Sequence, residues 1–91
     1  MLLGSVQIAG EELGGLEIKD ICDSLDKNSM RLLSLRGCQM EDSKFHRLTE
    51  SLKMNSSLAQ LNLNLGVVNS TDRVKWLAEG LLENNSLTSL L

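Results

Sequence analysis

Ninety-one residues, 42% of them hydrophobic and 23% charged, bound the chain to one domain with a single small core and exclude both a disordered and a membrane-embedded polypeptide. The net charge is −3, and its 9 basic and 12 acidic residues are spread along the chain, so no basic stripe awaits phosphates. Phe45 and Trp76 are too few for a base-stacking platform, and nucleic acid is not an expected ligand.

The opening residues, MLLGSVQIAGEE, reach two glutamates before an apolar run of signal length forms, so a cytoplasmic location is expected. Val6-Gln7-Ile8 alternates in the manner of a short strand, with Leu3 three residues upstream as an apolar anchor. Ile18, Ile21 and Leu25 then recur at helical spacing and predict a helix that ends in Asp26-Lys27-Asn28-Ser29. The series restarts with Met30 ahead of Leu33-Ser34-Leu35, continues as the stripe Phe45, Leu48 and Leu52, and turns at Asn55-Ser56-Ser57. It restarts again with Leu58 ahead of Leu61-Asn62-Leu63, followed by Val74, Leu77 and Leu81 and a turn at Asn84-Asn85-Ser86. Leu87-Thr88-Ser89-Leu90 opens a fourth unit. The strand signals step by 27 residues from Val6 to Leu33 and by 28 from Leu33 to Leu61, so the chain is an internal repeat.

Two further columns follow from that register. Cys22, Thr49 and Ala78 are all small, as expected where one helix approaches the next. Asn28, Asn55 and Asn84 follow the three helices, and asparagine tolerates the left-handed backbone that ends a helix. No strand-helix unit can cover its own apolar face, so stability requires neighbours on both sides.

The unit L-x-x-L-x-L, carried by LLSLRGC and SLAQLNLNLGVV, resembles the ribonuclease-inhibitor type of leucine-rich repeat. The resemblance implies an α/β solenoid, a right-handed β-α horseshoe segment with a parallel sheet on the concave face and helices on the convex face. It implies one domain over 1–91, with repeats 1–29, 30–57 and 58–86 and a partial repeat 87–91. The expected function, read from the strand face described below and the lack of a catalytic motif, is a non-enzymatic scaffold for a protein or peptide partner. The alternatives are a regulator of a small GTPase, since some such repeats are activating proteins, and a fragment without an independent role. The turn position that usually holds Asn or Cys carries Cys38 in one repeat and Gly66 in the next, a departure from a regular ladder.

Alternation within each strand turns one set of side chains away from the helices. That set gives the candidate partner-binding residues Gln7, Leu32, Ser34, Arg36, Gln60, Asn62, Asn64 and Ser89, flanked by Ser5 and Ala9. Singly, each reads as a solvated strand residue; together they form an amide- and hydroxyl-rich face with one cation and one hydrophobe, suited to a protein or peptide. His46 invites a catalytic reading, but Lys19 and Lys75 are its register equivalents, so it belongs to a basic helix column facing the acidic column Asp23, Glu50 and Glu79. Trp76 falls in a polar column and is expected to pack sideways on a neighbouring helix.

Cys22 and Cys38 lack disulfide or zinc spacing and are expected to be reduced, Cys38 as a packing residue. The sequons at Asn55, Asn69 and Asn84 would matter only in a secreted chain. Gly14-Gly15 has no P-loop lysine, and no metal, cofactor or catalytic motif is recognised. Leu87, Leu90 and Leu91 at the open end predict self-association through the last repeat.

Overall fold

The computed structural model describes residues 2–91. Strands and helices alternate as β1 (Ser5–Gln7), α1 (Gly15–Asp26), β2 (Leu32–Ser34), α2 (Asp42–Met54), β3 (Gln60–Asn62), α3 (Thr71–Glu83) and β4 (Ser89–Leu90). The four strands form one parallel sheet in chain order, with Val6, Leu33, Leu61 and Leu90 side by side. Neighbouring parallel strands require a crossover, and here each crossover is a helix. The alignment read from the sequence is therefore the register of the sheet.

The core lies between the sheet and the helices. Leu33, Leu35, Leu58, Leu61 and Leu63 are buried with Ile18, Ile21, Leu25, Phe45, Leu48 and Leu52 in one cluster. The stripe of α3 departs from the other two: Ile18 and Phe45 are 1% and 0% exposed, but their equivalent Val74 is 55% exposed. Ala78 is exposed as well, although Cys22 and Thr49 in its column are buried. The cause is position, because each inner helix is covered by the one after it, and among the described residues no helix follows α3. Close approach to the preceding helix falls instead on Gly80, where a Cβ would stand 3.0 Å from the Thr49 carbonyl of α2.

The asparagine column also needs correction. Asn28 has the left-handed backbone expected of it, with φ 56°. Asn55 and Asn84 are extended, at φ −78° and −80°, and act through their side chains. They cap α2 and α3 directly, as Lys27 caps α1, so Asn28 lies one position further along. The buried Asn55 amide donates to the Leu25 carbonyl (2.9 Å), and its Oδ1 accepts from the N–H of Leu58 (2.8 Å). Asn84 repeats the pattern one unit on, donating to the Leu52 carbonyl (3.1 Å) and accepting from the N–H of Leu87 (3.0 Å). Each asparagine thus ties a helix-to-strand turn to the preceding helix end, giving a last-turn carbonyl a second donor beside the backbone N–H that it already accepts.

Candidate functional site

The sheet face opposite the helices is where the sequence places its candidates. Gln7, Leu32, Ser34, Gln60, Asn62 and Ser89 line one shallow groove that crosses all four strands, with Leu33, Leu61 and Leu91 completing its lining. Two-residue alternation explains the grouping, since residues flanking the buried centre of each short strand point to the free face. The polar side chains are amides and hydroxyls, groups that both donate and accept, and Leu32 is half-buried among them. At about 170 Å³ the groove is smaller than the roughly 300–1,000 Å³ of small-molecule sites and matches a surface read by side chains of a larger partner.

Arg36 and Asn64 are not in the groove. They lie just past β2 and β3, both exposed, where their carbonyls accept from the N–H groups of Gly10 (3.0 Å) and Gly37 (2.8 Å). Asn62 is less free than its neighbours, because its Oδ1 accepts from the N–H of Asn64 (3.0 Å) and holds the turn after β3.

That turn contains a feature the sequence reading overlooked. Gly10 and Gly37 are equivalent left-handed residues, φ 67° and 72°, and the third member of the column is Leu65, at φ 62°. The three turns stack closely: a Cβ on Gly37 would stand 3.7 Å from the Gly10 nitrogen and 3.8 Å from the Leu65 Cβ. Leu65 is thus a leucine in a backbone region that favours glycine, and it is 65% exposed. The column was available in the sequence at the same steps of 27 and 28 residues.

Arg73 was also missed. It is buried in the wall between the second and third units, donating to the carbonyls of Met40 (2.6 Å) and Val67 (2.9 Å) and to Asp42 Oδ1 (2.8 Å), with its guanidinium over the Phe45 ring. Its equivalents Lys44 and Glu17 gave no sign of burial in the sequence.

The remaining candidates resolve as packing. Trp76 stacks on His46 with centroids 4.5 Å apart, and His46 Nε2 lies 3.3 Å from Glu50 Oε1. Glu50 is lowered from its ordinary value, first by the hydrogen bond from Lys53, then by the charge of Lys53 and by the nearby His46. Lys19 pairs with Asp23 at 2.7 Å, and that hydrogen bond lowers the aspartate and raises the lysine. Cys38 is buried, its thiol donating to the Ile8 carbonyl at 3.4 Å, and Cys22 is a second buried free thiol. Among the described residues, no group of three or more His, Cys, Asp or Glu is placed to hold a metal, and no helix is long and apolar enough to cross a membrane.

With the repeat register and the free sheet face in place, comparison with known proteins finds a relative in Homo sapiens and Rattus norvegicus. The chain is similar to leucine-rich repeat-containing protein 73. It is 56% identical over 90 residues to the protein of Homo sapiens and, equally, to that of Rattus norvegicus. The match takes in 99% of this chain but 28% of each relative, in the N-terminal part, so the chain spans little more than a quarter of their length. No protein-family model matches the chain, and no solved structure does.

Proposed function

We propose that the chain is a segment of a leucine-rich repeat solenoid of the right-handed horseshoe type, and that it binds a protein or peptide on the concave side of its sheet without catalysing a reaction. Residues 1–91 form one domain in this reading, with repeats over 1–29, 30–57 and 58–86 and the start of another at 87–91. The observation that carries it is the groove, in which amide and hydroxyl side chains together with four leucines line a single surface across four successive strands. Directional donors and acceptors with apolar residues among them fit the mixed character of a protein interface, and Arg36, just past β2, supplies a charge-assisted donor. The similarity to a leucine-rich repeat protein supports the same class of function.

The test is affinity capture from cell extract followed by measurement of each captured protein against variants. Arg36→Glu combined with Gln60→Arg is expected to reduce the bound partner at least tenfold with an unchanged far-UV circular dichroism spectrum. Gln60 is preferred to Asn62 because its side chain holds no turn. Lys19→Glu combined with Lys75→Glu, on the helix side, is expected to leave capture intact. The reverse pattern would place the binding surface on the helices.

A further inference from the structure

Charge is divided unevenly between the sheet and the rest of the molecule. The strands and the residues next to them, 4–9, 31–36, 59–64 and 87–91, contain none of the 12 acidic residues of the chain and two of its 9 basic ones, Arg31 and Arg36. A chain of net charge −3 thus has a sheet whose only charges are positive. Strand propensity does not account for the division. Gln7, Gln60, Asn62 and Asn64 are neutral isosteres of glutamate and aspartate, and asparagine is disfavoured in strands as aspartate is. The turn after β3 does not demand an amide either, because Asn62 Oδ1 accepts from the N–H of Asn64, which a carboxylate oxygen would do as well. The face keeps the shapes of acidic side chains without their charge.

The two arginines also lack counterions. Lys19, Lys44, Lys53 and Arg73 pair with carboxylates on the helices or at their starts, whereas among the described residues Arg31 and Arg36 form no ion pair. Both are exposed, one just before β2 and one just past it. Glu11 and Glu12 follow β1 beyond the groove, and neither pairs with Arg36.

We infer that the occupant of the sheet face is an extended, acidic segment of a partner protein, with one carboxylate on Arg36 and a second at the Arg31 end. This rests on the proposal that the sheet face binds a partner, and it specifies the chemistry of that partner. Five steps of strand set the arginines about 16 Å apart. An extended peptide crosses that distance in about five residues. A guanidinium takes a carboxylate through two parallel hydrogen bonds, and Leu32, half-buried between the two charges, meets an apolar side chain of the same segment. Two separated arginines do not make the basic stripe that a phosphate backbone needs, so the carboxylates of a protein, not a nucleic acid, are the matching anions.

The test is selection of phage-displayed random peptides of about 12 residues, long enough to span both arginines, on the immobilised 91-residue chain. Enriched peptides are then synthesised and titrated by fluorescence polarisation. The expected result is enrichment of aspartate or glutamate beside apolar residues, with binding that weakens as salt is raised and falls at least about tenfold in Arg31→Glu combined with Arg36→Glu. The same double variant is expected to prefer the peptides once lysine replaces their acids, a reversal that misfolding cannot produce. Gln60→Trp, which fills the groove without altering charge, is expected to weaken both kinds of peptide. Peptides that carry no excess of carboxylates yet lose binding to Gln60→Trp overturn the inference and leave the sheet face as the binding surface. Acidic peptides indifferent to the double arginine variant overturn the inference, and if they are indifferent to Gln60→Trp as well they count against the sheet face itself. A selection that enriches no peptide family overturns the extended acidic segment, while capture of a whole partner still decides whether the face binds.

Discussion

Leu65 shows how a single residue can work against the fold that contains it. Its left-handed backbone costs an L-residue about 1–2 kcal/mol, and the side chain gains little burial in return at 65% exposed. Glycine at the same place would lose roughly 0.5–1 kcal/mol of chain entropy but none of the steric cost. Leu65→Gly is therefore expected to stabilise the chain by roughly 0.5–1 kcal/mol and raise the melting temperature by a few degrees, read by thermal denaturation. An unchanged or lowered melting temperature would mean that Leu65 makes a compensating contact. Gly10 and Gly37 make this residue legible in hindsight, because a column of two glycines predicts the backbone of its third member. The side-chain work of Asn55 and Asn84 was less accessible: the residue type announced a turn, but the local spacing did not distinguish a left-handed cap from an amide reaching back to the previous helix. A shift of one position at Asn28 concealed the difference.

Among the elements, α3 carries most of what the sequence did not disclose. Its stripe predicted the helix correctly, yet periodicity speaks only of the face an element can bury and not of whether a neighbour is there to bury it. Arg73 is the complementary case, a charged residue on a helix whose burial depends on two carbonyls contributed by the loops before α2 and α3. Its ion pair is the weaker part of the arrangement, because Asp42 is 65% exposed and solvent screens the charge. The carbonyls of Met40 and Val67 matter more, since removing the guanidinium leaves buried acceptors unsatisfied at about 1–3 kcal/mol each. Arg73→Ala is accordingly expected to cost roughly 2–4 kcal/mol and Asp42→Asn less than about 1 kcal/mol, compared by urea denaturation. Equal losses for the two variants would show that the ion pair, rather than backbone satisfaction, holds α3 to α2.

At the scale of the molecule, the repeat supplies its own control experiment, because one residue type occupies one register position in the middle and at the edge of the stack. Leu33, Leu61 and Leu90 are neighbours on adjacent strands, but Leu33 and Leu61 are 1% and 3% exposed and Leu90 is 48% exposed. Leu61→Ala removes atoms that are packed on every side, and the predicted cost is about 2–5 kcal/mol from lost transfer energy together with the cavity left behind. A domain of this size has about 5–15 kcal/mol in all, so the loss is a large share of the total. Leu90→Ala removes the same atoms from a place where water already reaches half of them, and no closed cavity forms there. Its expected cost is below about 1 kcal/mol. Measured by urea denaturation at about 1 µM, the two variants should therefore differ by at least twofold in their effect on the free energy of unfolding. Equal costs at low concentration would mean that β4 and α3 are packed as tightly in solution as the inner units, a result incompatible with an open end.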